Sequence, residues 1–126
     1  MAVLVLEDDE QVRVLAESCL QGEGFTTLSA GTAEQAIALL GASDPIELLF
    51  TDLGLQGDPQ AGLALAAKAV ELRPSLKVLY TSGQGVTDGM IALFVEKSAY
   101  LPKPYTVDQL IATLRVKFGL GRSQSK

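Results

Sequence analysis

Four groups of side chains in this chain could do chemistry together: the acidic run Glu7-Asp8-Asp9-Glu10, Asp52 after Thr51, the Thr81 hydroxyl and the Lys103 amine. Each comes at the end of a short apolar run, respectively AVLVL, IELLF, LKVLY and AYLP. If those runs are parallel strands of one sheet, all four groups reach the same rim, where open α/β sheets bind their ligands. Glu7, Asp8 and Asp52 would repel one another there, and a hard cation with oxygen ligands, Mg²⁺ above all, relieves that repulsion. A carboxylate can also be the nucleophile that becomes an aspartyl phosphate, and Asp52 at a strand end fits that role. Thr81 and Lys103 would donate to the phosphoryl oxygens. The chemistry expected of this set is phosphoryl transfer.

Taken singly, each residue has a plainer explanation. Acids at a helix start complement its dipole, Asp52 could be a turn residue, Thr81 a strand residue and Lys103 a solvated charge. What favours a common site is their joint arrival at the ends of three strands and one loop.

The elements that must position them alternate along the chain, as βα units with a parallel sheet do. Strands are expected over residues 2–6, 25–29, 46–51, 76–81 and 99–101. A first helix near 9–21 places Val12, Leu15, Ala16, Cys19 and Leu20 on one core stripe. Thr32 with Gln35 predicts a capping box and a second helix beginning there. A third helix spans about 60–72 and stops before Pro74. The last, about 106–118, turns Val107, Leu110, Ile111 and Leu114 inward. A fourth, about 87–97, contains Met90-Ile91-Ala92-Leu93-Phe94-Val95 without a polar residue. That run reads either as a helix buried under neighbouring loops or as a face that docks a partner or a second copy of the chain.

With 126 residues, 48% of them hydrophobic, the chain fits one domain over 1–118, and residues 119–126 have the composition of a disordered tail. The formal charge of −5 argues against direct nucleic-acid binding. The absence of histidine removes the Ser-His-Asp triad and the ordinary zinc sites. A lone Cys19, no membrane-length apolar run and no signal-like start lead to the expectation of a cytoplasmic protein with no membrane partner.

The segments VLVLEDDE, LLFTDLGLQG, VLYTSG and YLPKPY resemble, in order and spacing, the four motifs of response-regulator receiver domains of bacterial two-component signalling, covering about residues 2–118. The resemblance implies a flavodoxin-like, doubly wound (βα)5 sandwich with strand order 2-1-3-4-5. It makes Glu7 and Asp8 the acidic metal pair for Mg²⁺, with the carbonyl of Gly54 as a further ligand. Asp52 becomes the phosphoacceptor, Thr81 the switch hydroxyl, Lys103 the conserved-type lysine and Tyr100 the aromatic switch residue. It further implies a cis Lys103–Pro104 bond and a partner that donates phosphate, a sensor histidine kinase or phosphotransfer protein. A downstream protein partner would read the surface of the fourth helix, fifth strand and last helix, with a homodimer through the fourth helix as one possibility. Such a domain is a switch, not an enzyme.

Three features depart from the family pattern: Gln56 replaces the proline common after the acceptor, and Gly54 and Gly83 lack side chains where the family uses them to influence attacking water. A phosphatase of haloacid dehalogenase type needs a second acid two residues after the nucleophile, where Gly54 stands. A flavodoxin-type carrier would set a phosphate against Glu7–Glu10, which repels it. A phosphorylation-independent docking module, and a receiver cut from a hybrid histidine kinase or other multidomain regulator, are the remaining alternatives.

Overall fold

Burial on both faces decides which segments become strands. In the computed structural model, which describes residues 2–42 and 45–121, the order is β1 (Ala2–Leu6), α1 (Glu10–Gly22), β2 (Thr26–Ala30), α2 (Ala33–Leu40), β3 (Ile46–Asp52), α3 (Ala61–Leu72), β4 (Lys77–Ser82), α4 (Asp88–Ile91), β5 (Ser98–Pro102) and α5 (Val107–Phe118). All five residues of β1 are buried, as a strand covered by helices on both sides requires. The five strands are parallel in the order β2-β1-β3-β4-β5. This is the expected doubly wound sheet.

Alternate residues of the strands feed two cores. Leu4, Leu6, Leu49, Val78 and Tyr80 pack with Ala36, Leu40, Leu63, Ala66 and Ala69 of α2 and α3. Val3, Val5, Leu48, Phe50 and Leu79 pack on the other face with Ala16, Leu20, Leu110 and Leu114 of α1 and α5.

Helix ends are closed locally. Asp9 caps α1 by accepting from the amides of Gln11 and Val12. Thr32 caps α2 by accepting from the Gln35 amide, but the Gln35 side chain accepts from Gly31 rather than from Thr32, so the expected capping box is only half formed. The reciprocal box is at Thr106 and Gln109, starting α5. Gly119, left-handed at φ 69°, ends α5, and the Leu120 amide returns to the Leu114 carbonyl. The fold therefore runs past 118, with Leu120 packed on the second core; of the segment read as a tail, residues 122–126 lie outside the described residues.

Three expectations need correction. Leu15 and Val107 do not face inward; they are 66% and 46% exposed, because each sits at the edge of its helical stripe beyond the reach of the sheet. Cys19 is half-buried against the second core. Most clearly, the fourth helix is one turn, Asp88–Ile91, capped by Thr87, and not a helix over 87–97. Beyond it the chain folds onto Tyr80: Phe94 stacks on that ring at 4.2 Å, and the Val95 amide donates to the Tyr80 hydroxyl at 3.1 Å. A bond from Val95 N–H to the Tyr80 side chain replaces the backbone bond that would have continued the helix. Met90, Phe94 and Val95 pack against the first core, while Ile91 and Leu93 stay on the surface. The apolar run is thus mostly accounted for by packing, and a dimer face built on a full fourth helix loses its scaffold.

Gly62 ties α3 to the end of β3. Its amide donates to the Leu53 carbonyl at 2.7 Å, and a Cβ there would overlap the Asp52 carbonyl oxygen and lie 2.8 Å from Leu53 Cα. Both obstacles are backbone, so they cannot turn aside. Gly62→Ala is expected to destabilise the domain by about 3 kcal/mol, the upper part of the usual overpacking range, measured by urea unfolding followed by circular dichroism.

Candidate functional site

Parallel strands deliver their carboxyl ends to one edge, and the register does the rest. Glu7 follows β1, Asp52 ends β3, Thr81 lies beside Asp52 in β4, and Lys103 follows β5 next to the Ser82–Pro102 pair. The Leu53 amide donates to the Thr81 carbonyl at 2.8 Å and the Lys103 amide to the Ser82 carbonyl at 3.0 Å, so sheet-like bonding continues one residue past the strands. The Lys103–Pro104 bond is cis.

Lys103 is the centre of the arrangement. Its Nζ lies 2.8 Å from Glu7 Oε1 and 2.7 Å from Asp52 Oδ2. Glu7 is 5% exposed, and its burial raises its pKa above the usual carboxylate value, against the pull of Lys103. Burial disfavours the Lys103 ammonium as well, but the hydrogen bonds and charges of Asp52 and Glu7 outweigh it and raise the lysine pKa. Asp8 takes another course: its Oδ2 accepts from the Gln56 amide at 2.8 Å, and this bond lowers its pKa despite slight desolvation.

Gln56 and Gly57 have φ of 52° and 84°. They are the centre of a tight turn in which Leu55 and Asp58 exchange both backbone bonds, each 2.9 Å. Positive φ at both central positions is the geometry of a type I′ turn. Proline, held near −65°, could not stand at 56, which is the physical reason for that departure from the family pattern.

Thr81 Oγ1 is buried with no hydrogen-bond partner. A buried hydroxyl left unpaired carries a desolvation cost, so its presence beside Asp52 needs an explanation. Tyr100, half-buried, donates to the Ser82 carbonyl at 3.3 Å and lies 6.4 Å, centroid to centroid, from Phe94.

A cleft of about 460 Å³ opens here, lined by Asp8, Asp52, Gly54, Gln56, Ser82 and Lys103 among others. Among the described residues no three carboxylates are gathered closely enough to enclose an ion. Mg²⁺, which keeps several waters and takes one or two carboxylates, does not require such a cage, and Asp8, Asp52 and the Gly54 carbonyl on one open cleft fit it. Glu7 does not line this cleft; it is held behind Asp52 by Lys103. The sequence thus brought Glu7, Asp52, Thr81 and Lys103 to one place, but it gave no sign of the Gln56 amide on Asp8.

A doubly wound α/β domain with acids, a hydroxyl and an amine on the carboxyl edge defines the class. The response regulator receiver domain family matches residues 3–115, and the chain belongs to that family. A putative NtrX-like response regulator of Rickettsia bellii is 29% identical over 114 residues, 90% of this chain and 24% of that protein. The chain therefore spans about a quarter of the length of the curated relatives it matches. A response regulator receiver protein of Sinorhizobium medicae has TM-score 0.82 and 26% identity, over 94% of each chain. A response regulator of Burkholderia pseudomallei, solved with a phosphorylated aspartic acid, calcium ion and citrate, has TM-score 0.79 and 27% identity, over 91% of this chain and 66% of that one. Among the described residues no helix is long and apolar enough to cross a membrane.

Removing Lys103 leaves two carboxylates facing each other with one of them buried. Lys103→Met is expected to cost about 2 kcal/mol in urea unfolding at pH 7, less than a fully buried pair because the lysine is partly exposed.

Proposed function

We propose that this domain is a phosphoacceptor switch of a two-component system, taking a phosphoryl group on Asp52 from a histidine kinase or phosphotransfer protein. The observation that carries the reading is the pairing of Asp52 with Lys103 directly beside the buried, unpartnered Thr81 hydroxyl.

An Asp52 carboxylate oxygen attacks phosphorus in line, the O–P bond forms, and the N–P bond to the donor's imidazole breaks, its electron pair returning to the ring nitrogen. Lys103, already 2.7 Å from Asp52, keeps its charge on the new phosphoryl oxygens. Thr81 Oγ1 finds in a phosphoryl oxygen the partner it lacks, and Tyr100 follows it inward. Asp8, Asp52 and the Gly54 carbonyl would hold Mg²⁺, with Glu7 behind them, and the bound ion neutralises charge developing on the phosphoryl oxygens. The surface of α4, β5 and α5 then changes for a downstream protein partner. The domain modifies itself and turns over no external product, so it is a switch rather than an enzyme.

Incubation with Mg²⁺ and acetyl phosphate, followed by intact mass, tests the reading. A gain of one phosphoryl group that needs both Mg²⁺ and Asp52, and is absent from Asp52→Asn, is expected; no gain in a folded wild-type protein overturns it.

Gly54 and Gly83 could each accept a side chain: an added Cβ would make ordinary contacts, with Pro59 Cα at 3.5 Å and with Lys103 Cβ at 3.9 Å respectively. No side chain there orients water, so the phosphorylated state is long-lived. Gly54→Asn is expected to speed its decay on the order of tenfold, equivalent to about 1.4 kcal/mol of barrier, measured as the loss of phosphorylated mass after donor removal.

A further inference from the structure

We propose that Arg13 is a positioning residue for the acidic pair, fixing the Glu7–Asp8 peptide so that Asp8 meets a divalent cation; the inference rests on the cation reading above. Arg13 stands in the second turn of α1, and its side chain runs back toward the helix start. There Nη1 donates to the Glu7 carbonyl at 2.7 Å. Asp9, Glu10 and Glu17 are near it in sequence, yet among the described residues Arg13 forms no ion pair. Its charge is spent on one backbone oxygen.

That oxygen lies just past the last ladder pair of β1. The Glu7 amide is held from the other side by the Ala30 carbonyl at 3.2 Å, and the Asp9 amide by Glu7 Oε2 at 3.1 Å. Arg13 supplies the remaining constraint, on the peptide that joins Glu7 to Asp8. A carboxylate at a cation site is only as well aimed as the backbone that carries it, and partners behind the ligands commonly change metal affinity by 10–100-fold.

The chain makes room for this contact at Gly31. A Cβ built there would lie 2.9 Å from Arg13 Nη1 and 3.6 Å from Cζ. Gly31 itself is held by Gln35, whose Oε1 accepts from its amide at 2.7 Å. The guanidinium therefore occupies a notch that only glycine leaves open. Because the crowded atom is the far end of a flexible side chain, Gly31→Ala should displace the guanidinium at little expense to the fold.

The test is calorimetric titration of the unphosphorylated protein with MgCl2, for wild type, Arg13→Ala, Arg13→Lys and Gly31→Ala, each checked by circular dichroism and thermal unfolding. Arg13→Ala and Gly31→Ala are expected to raise the Mg²⁺ dissociation constant about tenfold, and Arg13→Lys to recover part of the loss, while Gly31→Ala keeps a normal melting profile. A merely structural arginine would lower the melting temperature and leave Mg²⁺ affinity where it was; that result overturns the proposal. Should Arg13→Ala fail to fold, Gly31→Ala alone decides: weakened binding supports the proposal and wild-type binding overturns it. Wild-type protein that binds no Mg²⁺ overturns the cation reading itself, and this inference with it, a failure distinguishable from the first because the variants then have nothing to lose.

Discussion

Like charges brought to one edge of a sheet must be reconciled, and here a single ammonium does it. Lys103 bridges Glu7 and Asp52, carboxylates from strands that are neighbours in the sheet. Without a cation in that place, burial of Glu7 and the convergence of β1 and β3 would conflict, since buried charges are tolerated only when paired. The register of β5 and the bond from the Lys103 amide to the Ser82 carbonyl bring the lysine there. The Thr51-Asp52 end of β3, the Gly62 contact beneath it and the turn at Gln56-Gly57 all gather around this pair. The site is thus less a set of residues added to a fold than the place where the fold's own charge conflict is resolved.

A second organising contact lies one strand away. Tyr80 is fully buried, and its hydroxyl accepts from the amide of Val95, four residues beyond the end of α4. Burial raises its pKa, which keeps the phenol protonated and able to act as a neutral acceptor. Phe94 stacks on its ring and in turn lies near Tyr100. A row of three aromatic rings therefore connects the strand that carries Thr81 to the surface of β5. Thr81 and Tyr80 are consecutive, so what happens at the cleft and what holds α4 in place share one piece of backbone.

The alternation of strands and helices was legible in the sequence because each element carries its own period, and the strands lie within a residue of expectation. The site was legible for the same reason: its residues follow the apolar runs that form the sheet. The fourth helix was not, because its apolar run satisfies a helix pattern while Gly83, Gly85 and Gly89 weaken helix formation around it and Tyr80 offers Val95 a tertiary bond. Leu15 and Val107 were misassigned because periodicity names a stripe and not its edges. Arg13 and the Gln56 amide escaped notice because each acts through backbone, one on a carbonyl and the other from an amide, and backbone contacts across the chain leave no residue pattern to read.

The span of the central ion pair has a consequence for biosynthesis. Lys103 lies 96 residues from Glu7 and 51 from Asp52 along the chain. Ribosomes deliver the amino-terminal strands first, and contacts of such long separation form only once the intervening chain has been ordered. Asp52 therefore emerges well before its lysine. A nascent or truncated chain carries Glu7 and Asp52 without the ammonium that pairs them, so the charge conflict at this edge is resolved only when the residue that follows β5 has been added.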